Sequence, residues 1–122
     1  MKEKAPPLKD VLLVDDDPAS LAMLALSLRG AGLSVVACAS PVAALAELKR
    51  GRYRWLVTDF RMLPQDGLAL ADQAKSLAPR TRIVMISASC TASDIDGRPI
   101  ERLFTKPVPV EILSAYLSSP TP

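Results

Sequence analysis

Short apolar runs alternate along the chain with longer segments in which apolar residues recur at helical spacing. Strands that are apolar along their whole length and alternate with helices are typical of a parallel sheet covered on both faces. The sequence therefore predicts a single α/β domain. The apolar runs predict strands at Val11–Val14, Ser34–Cys38, Trp55–Asp59, Arg82–Ile86 and Leu103–Thr105. The helical spacing predicts helices at Pro18–Arg29, Pro41–Arg50, Gly67–Leu77 and Val110–Leu117.

The segment between the fourth and fifth strands breaks this alternation. Within Cys90–Pro99, Gly97 and Pro99 would interrupt a helix, and most of the other residues are Ser, Thr or Asp. We therefore expect the helix after the fourth strand to be short or missing. Because the segment has few apolar anchors, we also expect Ser89–Arg98 to be a mobile loop.

The predicted strands end in polar residues that could meet at one edge of the sheet. In an open parallel sheet, ligands bind outside the carboxyl ends of the strands. If the first, third, fourth and fifth strands are neighbours, a carboxylate cluster, a hydroxyl and an ammonium group converge there. The residues concerned are Asp15, Asp16, Asp17, Asp59, Ser87 and Lys106.

The three consecutive carboxylates after the first strand allow two interpretations. Adjacent carboxylates repel one another, so they are stable when solvated or when they hold a cation. Hard oxygen ligands of this kind suit Mg²⁺. Alternatively, Asp17 and its neighbours only cap the helix that follows, since Asp favours the N-cap and Pro18 the first turn.

Composition excludes several classes of function. The chain has 122 residues, which suits one domain, and contains no histidine, so histidine-based triads and metal sites are excluded. The net charge of +2 and the lack of a basic stripe argue against direct nucleic-acid binding. No apolar run reaches transmembrane length and no signal-peptide core is present, so we expect no membrane insertion. Cys38 and Cys90 fit buried free thiols of a cytoplasmic protein.

Four motifs together resemble the receiver domain of two-component response regulators, of the chemotaxis-regulator type. They occur in the family's order, at nearly its spacing, over roughly residues 9–118. The resemblance implies a flavodoxin-like, five-stranded parallel sheet of order 2-1-3-4-5 with helices on both faces. We place the domain at 8–118, between an N-terminal tail, 1–7, whose Pro-rich, polar composition predicts disorder, and a C-terminal tail, 119–122. The motifs are Val14-Asp15-Asp16-Asp17-Pro18, Thr58-Asp59 followed by Pro64-Gln65-Asp66-Gly67, Ile86-Ser87-Ala88 and Thr105-Lys106-Pro107.

The resemblance implies that Asp59 is a phosphoacceptor. Its carboxylate would take a phosphoryl group from a phosphohistidine on a sensor histidine kinase or a phosphotransfer protein. Mg²⁺ would be held by Asp15, Asp16, Asp59 and the backbone carbonyl of Arg61. The domain would then switch conformation to signal to an effector that the sequence does not identify. Such a domain phosphorylates and dephosphorylates itself and is not a turnover enzyme, and a homodimer is one assembly open to it.

Three further residues receive roles from the resemblance. Ser87 would turn its hydroxyl toward the phosphoryl group, and Lys106 would pair with a phosphoryl oxygen, with a cis peptide bond to the proline that follows it. Phosphoryl transfer depends mainly on positioning and charge neutralisation, which these groups supply. Gly67 is expected to end the loop after the acceptor by supplying a backbone shape that other residues resist. The Arg61 side chain leaves the same loop, and we hypothesise that it reaches the phosphoryl group or screens it from water. Alternatively, Arg61 is a solvated surface residue.

The chain also departs from the family pattern. Leu63 stands at the family's proline position, with Pro64 one residue later, and Leu103 stands at the position of the aromatic switch residue. Phe104 should point to the opposite face of the sheet. A second interpretation therefore stays open, in which the chain is a receiver-like protein–protein interaction module that works without phosphate. A haloacid-dehalogenase-type phosphatase, suggested by Asp15-x-Asp17, is disfavoured because the chain is short and lacks the acidic partner near its end.

Overall fold

A computed structural model describes residues 5–119, which form five strands and four helices. All nine elements lie where the sequence predicts them, but β1 and β3 each begin three residues earlier than expected. The first three residues of β1 and of β3 are mostly polar or exposed, so they do not form part of an apolar run. Residues 1–4 and 120–122, parts of the two expected tails, lie outside the described residues. The elements are β1 Leu8–Val14, α1 Pro18–Gly30, β2 Val35–Cys38, α2 Pro41–Arg50, β3 Arg52–Asp59, α3 Gly67–Leu77, β4 Arg82–Ser87, β5 Arg102–Thr105 and α4 Val110–Leu117.

The strands form one parallel sheet of order β2-β1-β3-β4-β5, as expected. The register pairs the last residue of β1, Val14, with Thr58 of β3. It pairs Asp59 at the end of β3 with Ile86, and Ser87 at the end of β4 with Thr105. The carboxyl ends of β1, β3, β4 and β5 therefore lie at the same edge of the sheet.

Apolar side chains alternate between the two faces of the sheet and build a separate core on each. Helices α2 and α3 cover one face, where Leu12, Leu56 and Leu70 are fully buried. Helices α1 and α4 cover the other face, where Trp55 and Leu113 are fully buried. Burying a large side chain of this kind contributes roughly 1.5–3 kcal/mol. The two cores together hold the strand ends, and the polar residues on them, in fixed relative positions.

The connection between β4 and β5 contains turns and no helix, which confirms that the fourth helix expected for the fold is missing. Cys90 and Ile100 are buried at its two ends, and Ile95 packs against the core between them. Arg98 forms an ion pair of 2.7 Å with Asp72 on α3. These few contacts hold the connection against α3, while its mobility stays a prediction.

Two smaller expectations, on the faces of β5 and on the cysteines, are also confirmed. Phe104 packs against Tyr116 on the α1/α4 face, with ring centroids 5.5 Å apart, whereas Leu103 packs on the α2/α3 face. Cys38 and Cys90 are buried and free. In the part of the chain that the structure describes, no helix is both long enough and apolar enough to cross a bilayer.

Candidate functional site

Three carboxylates meet at the carboxyl edge of the sheet. Asp15 and Asp16 follow β1, and Asp59 ends the neighbouring strand β3. One carboxylate oxygen from each residue lies within 4.8 Å of the others. Opposite ligands of an octahedral Mg²⁺ are about 4.2 Å apart. A small inward movement would therefore bring all three oxygens into one coordination shell, and the residues fit a hard divalent cation.

The electrostatics of Asp15 favour a positive partner. Burial raises the pKa of the Asp15 carboxyl, and repulsion from Asp59 and Asp16 adds to this increase. A hydrogen bond from the Asp17 N–H, 2.9 Å long, and the charge of Lys106 act in the opposite direction without cancelling it. The ionised form of Asp15 is therefore disfavoured, and a bound cation would stabilise it.

Asp17 has a different role from its two neighbours. Its carboxylate is the N-cap of α1 and accepts hydrogen bonds from the Ser20 N–H at 3.1 Å and the Ser20 hydroxyl at 2.5 Å. These bonds lower the pKa of Asp17. The two interpretations of the acidic run therefore apply to different residues: Asp17 caps the helix, while Asp15 and Asp16 belong to the carboxylate cluster.

Lys106 supplies the positive charge next to the cluster. Its Nζ lies 3.2 Å from Oδ1 of Asp59 and 3.7 Å from Oδ2 of Asp15. The residue follows β5, and its peptide bond to Pro107 is cis, as expected. Oδ1 of Asp59 also accepts the N–H of Phe60 at 2.9 Å. Oδ2 of Asp59 accepts no hydrogen bond from any residue between 5 and 119, so it is the freer of the two oxygens.

Ser87 ends β4 at the same edge and is almost fully buried, with 2% of its surface exposed. Its hydroxyl oxygen accepts the N–H groups of Ser89 and Cys90 at 3.1 and 3.0 Å. Because both contacts use the oxygen as acceptor, the hydroxyl proton is still available for donation. The chain after β4 thus positions a donor at the strand end, as the sequence predicted.

Arg61 bridges the loops that follow β3 and β4. Its Nε donates to the hydroxyl of Ser89 at 3.1 Å, and its guanidinium lies 5.8 Å from the ring centroid of Phe60. With Asp16 and Leu63 it lines an open hollow of about 400 Å³ beside the carboxylates. Sequence reasoning missed the contact of Arg61 with Ser89. The only signal was the place of Ser89 two residues after Ser87.

Gly67 is required for a reason different from the one expected. Its φ is not positive, since among residues 5–119 only Gly32 and Gly97 have positive φ. A Cβ at Gly67 would lie 2.2 Å from the Asp59 carbonyl oxygen and 2.8 Å from Cε of Met85. The prediction of a special backbone shape was therefore wrong. Close approach of α3 to the end of β3 excludes a side chain here.

The displaced proline leaves this close approach intact. The Leu63–Pro64 peptide bond is cis, and the Gly67 N–H still donates to the Phe60 carbonyl at 2.7 Å. Asp66 caps α3 by accepting the Ala69 N–H at 2.9 Å. The loop after β3 therefore returns to the expected register at Asp66, and the start of α3 is fixed against the site.

Comparison with known proteins identifies the same kind of domain along nearly the whole chain. The family model of the response regulator receiver domain matches residues 11–117. The transcriptional regulatory protein GlrR of Escherichia coli (strain K12) is 32% identical over 106 residues, which are 84% of this chain and 24% of that protein. ZraR of Salmonella typhimurium is 34% identical over 79 residues, 65% of this chain and 18% of that protein. The chain thus spans about a quarter or less of these relatives.

Solved structures share the fold. A CheY-like receiver domain from Methanospirillum hungatei JF-1 superposes with a TM-score of 0.84 at 23% identity, covering 91% of each chain. A response regulator from Burkholderia pseudomallei, described with a phosphorylated aspartic acid, a calcium ion and citrate, superposes with a TM-score of 0.82 at 22% identity. That match covers 91% of this chain and 67% of the other.

Proposed function

Because this chain belongs to the response regulator receiver domains of two-component systems, we propose that Asp59 accepts a phosphoryl group from a phosphohistidine on a partner protein. One observation carries the proposal. Asp15, Asp16 and Asp59 converge within 4.8 Å, and Lys106 lies 3.2 Å from Asp59. A sensor histidine kinase or a phosphotransfer protein would supply the phosphoryl group.

The transfer exchanges one bond to phosphorus for another. Oδ2 of Asp59, the freer oxygen, attacks the phosphorus atom and forms the P–O bond of an acyl phosphate. The P–N bond to the donor imidazole breaks, and its electron pair stays on the imidazole nitrogen. Mg²⁺, held by Asp15, Asp16, Asp59 and the Arg61 carbonyl, would neutralise charge on the phosphoryl oxygens.

Two side chains of the site act on the phosphoryl oxygens. Lys106 lies next to Asp59. Once the phosphoryl group is on Asp59, the ammonium group of Lys106 would pair with one of the phosphoryl oxygens. Ser87 keeps its hydroxyl proton available while its oxygen accepts two backbone N–H groups. Donation of that proton to a phosphoryl oxygen would move the Ser87 hydroxyl and the residues after β4 that are hydrogen-bonded to it. Phosphorylation would thereby change the conformation of the protein surface.

Water then hydrolyses the acyl phosphate to the free carboxylate of Asp59 and inorganic phosphate. The domain itself is thus phosphorylated and dephosphorylated, and it does not turn over a separate substrate. Arg61 donates to Ser89 in the loop after β4, and it lines the hollow beside Asp16. We propose that it screens the phosphoryl group from water. The buried free thiols Cys38 and Cys90 fit a reducing compartment, and we place the reaction in the cytoplasm.

The surface beside the acceptor suits a protein donor. Helix α1 begins directly after Asp15–Asp17 and presents an exposed apolar stripe of Ala19, Ala22, Met23 and Leu26, at helical spacing. Met23 and Leu26 are 71% and 72% exposed. Leu63, which lines the hollow, is also exposed. We propose that the partner packs apolar residues here while it presents the phosphohistidine to Asp59.

Intact-mass measurement after incubation with acetyl phosphate tests the proposal. We expect wild type to gain one phosphoryl group when Mg²⁺ is present and none when it is chelated. Asp59→Asn should stay unmodified. Asp17→Asn is the matched control, because it removes a neighbouring carboxylate while Asn still caps the helix, and it should be modified like wild type.

A second candidate function is an interaction module that works without phosphate. The missing helix between β4 and β5 and Leu103 at the switch position favour it, since the usual output surface is altered. The same experiment separates the two functions. Wild type that stays unmodified at saturating donor and Mg²⁺ would contradict the phosphoacceptor proposal and favour the interaction module.

A further inference from the structure

A second cavity, of about 500 Å³, lies at the opposite edge of the sheet. Strands β1, β3 and β4 begin there, and helices α2 and α3 end there. Because all the strands are parallel, their amino ends are separated from the carboxylate cluster by the length of the sheet. The cavity therefore plays no part in the proposed phosphoryl transfer and must be explained separately.

The inside of this cavity is largely apolar. Leu48 and Tyr53 contribute buried side chains to its lining. Leu8 and Leu77, also in the lining, are 54% and 43% exposed. A cavity of this volume lies within the usual range of small-molecule sites, which are mainly apolar with a few polar groups that orient the ligand.

The charged side chains that line the cavity are all positive. Four arginines and no carboxylate residue line it. Two of them already have partners: Arg82 donates to Glu101 at 2.7 Å, and Arg54 lies 3.5 Å from Asp10. Arg52 and Arg80 are exposed and, among residues 5–119, form no hydrogen bond or ion pair. Two guanidinium groups are thus available beside an apolar hollow.

The ends of α2 and α3 provide a competing explanation for these arginines. Helix C-termini carry partial negative charge and favour nearby cations, and both helices end at the cavity. That effect accounts for positive charge near the helix ends. It does not account for exposed leucines around a hollow beside them. A ligand that combines negative charge with an apolar body matches both features.

We propose that this cavity binds a small organic anion with an apolar body. A carboxylate or phosphate group would be held by Arg52 and Arg80, since guanidinium groups suit both, and the apolar part would lie against Leu48, Tyr53 and Leu77. The inference does not depend on phosphorylation of Asp59.

Amide chemical-shift titration of the whole chain tests this site, with octanoate and octyl phosphate as probes. We expect saturable shifts confined to Leu48, Gly51–Arg54 and Leu77–Arg82. Acetate has the charge without the apolar body, and octanamide has the apolar body without the charge. Neither should saturate over the same range. Octanamide or acetate binding as tightly as octanoate would overturn the proposal, as would shifts spread over all basic residues.

Variants at the mouth of the cavity give a second readout. Arg80→Gln removes one exposed guanidinium, and Leu77→Asp places a carboxylate beside the arginines. Each should weaken octanoate binding about tenfold or more, the scale of one charge-assisted hydrogen bond. Lys49→Gln removes a nearby charge that does not line the cavity and should leave binding unchanged. If Arg80 only complements the helix dipole, Arg80→Gln would lower the melting temperature and leave octanoate affinity at the wild-type value, which would contradict the proposal.

Discussion

The two edges of the sheet both carry many charged side chains, but they arrange them in opposite ways. At the carboxyl edge, Asp15, Asp16 and Asp59 crowd together with Lys106 as the adjoining positive charge. At the amino edge, Arg82 donates two hydrogen bonds of 2.7 Å to Glu101, so this pair of opposite charges is matched, while Arg52 and Arg80 have no such partner among residues 5–119. The crowded carboxylates have a geometry that suits a cation, whereas the Arg82–Glu101 pair is a contact that contributes to stability.

The ionisation of one acid at each edge reflects this difference. Burial raises the pKa of Asp15, and the adjacent carboxylates add to the effect. Burial also opposes ionisation of Glu101, but hydrogen bonds from Arg82 and Tyr116 outweigh it, so the pKa of Glu101 lies below its usual value. As the pH rises from strongly acid to neutral, ionisation of Asp15 therefore lowers the free energy of unfolding and ionisation of Glu101 increases it.

The largest effect should come from adding one methyl group at the carboxyl edge. In Gly67→Ala the new Cβ would meet the Asp59 carbonyl at 2.2 Å, so α3 must move away from β3. We expect the free energy of unfolding to fall by about 3 kcal/mol or more, measured by urea denaturation. Phosphorylation of the fraction that folds should also slow, because the end of β3 carries the proposed acceptor, Asp59.

Gly30→Ala is the control for this substitution. Gly30 is the last residue of α1, and a Cβ there would meet nothing within 4 Å. We expect its stability to stay within about 1 kcal/mol of wild type. If Gly67→Ala were equally mild, close approach of α3 to β3 would not be the reason for glycine at the site.

At the amino edge, Glu101→Gln should weaken a structural contact. The substitution removes the charge that Arg82 and Tyr116 contact, while the Arg82 guanidinium stays stacked 4.3 Å from the Trp55 ring. We expect a loss of about 1–2 kcal/mol at neutral pH. The loss should shrink as the pH falls below about 4.5, where unfolded Glu101 takes up a proton. A loss that is the same at every pH would show that the charge of Glu101 is not what stabilises this edge.

Asp15→Asn should have the opposite sign. Without Mg²⁺ at neutral pH, the variant should be more stable than wild type, by an amount of the order of 1 kcal/mol, because it removes one of the crowded charges. The gain should disappear as the pH falls below about 3.8, the usual range of aspartate titration. Added Mg²⁺ should stabilise wild type and leave the variant nearly unchanged. Destabilisation of the metal-free variant at neutral pH would contradict the contrast between the edges.

The smallest effect is expected at Arg61. Its bond to Ser89 is exposed, so we expect Arg61→Ala to shorten the acyl-phosphate lifetime only about threefold. Arg80→Ala, at the far edge, removes an exposed arginine without touching the site and should leave the lifetime unchanged. Lifetimes are compared at one pH and one Mg²⁺ concentration. Equal lifetimes for Arg61→Ala and wild type would leave Arg61 with no role beyond its backbone carbonyl.

Much of the carboxyl edge could be predicted from sequence because each polar residue directly follows an apolar strand. Position in the sequence then determines position at the edge, as for Asp59 and Ser87. The division of labour between Asp15 and Asp17 could not be predicted, because it depends on which carboxylate reaches the Ser20 N–H. The role of Gly67 was hidden for a similar reason, since the atoms that exclude its side chain come from Asp59 and from Met85 on another strand.

The amino edge was not foreseen at all. The sequence contains no basic stripe, because the arginines of this edge come from two separate segments, 52–54 and 80–82. Pairing of β3 with β4 brings these segments together. The charges are thus contiguous only in the folded sheet, while the apolar lining comes partly from the ends of α2 and α3. Linear charge patterns cannot reveal a site assembled in this way.

Locating the phosphoryl group on the chain tests the central claim most directly. After reaction with acetyl phosphate and Mg²⁺, borohydride reduces an acyl phosphate of aspartate to homoserine, which peptide mass spectrometry can assign to one residue. We expect homoserine at Asp59 alone, and none in a sample prepared without Mg²⁺. Homoserine at Asp15 or Asp16, or its absence from wild type that has been saturated with donor, would contradict Asp59 as the acceptor.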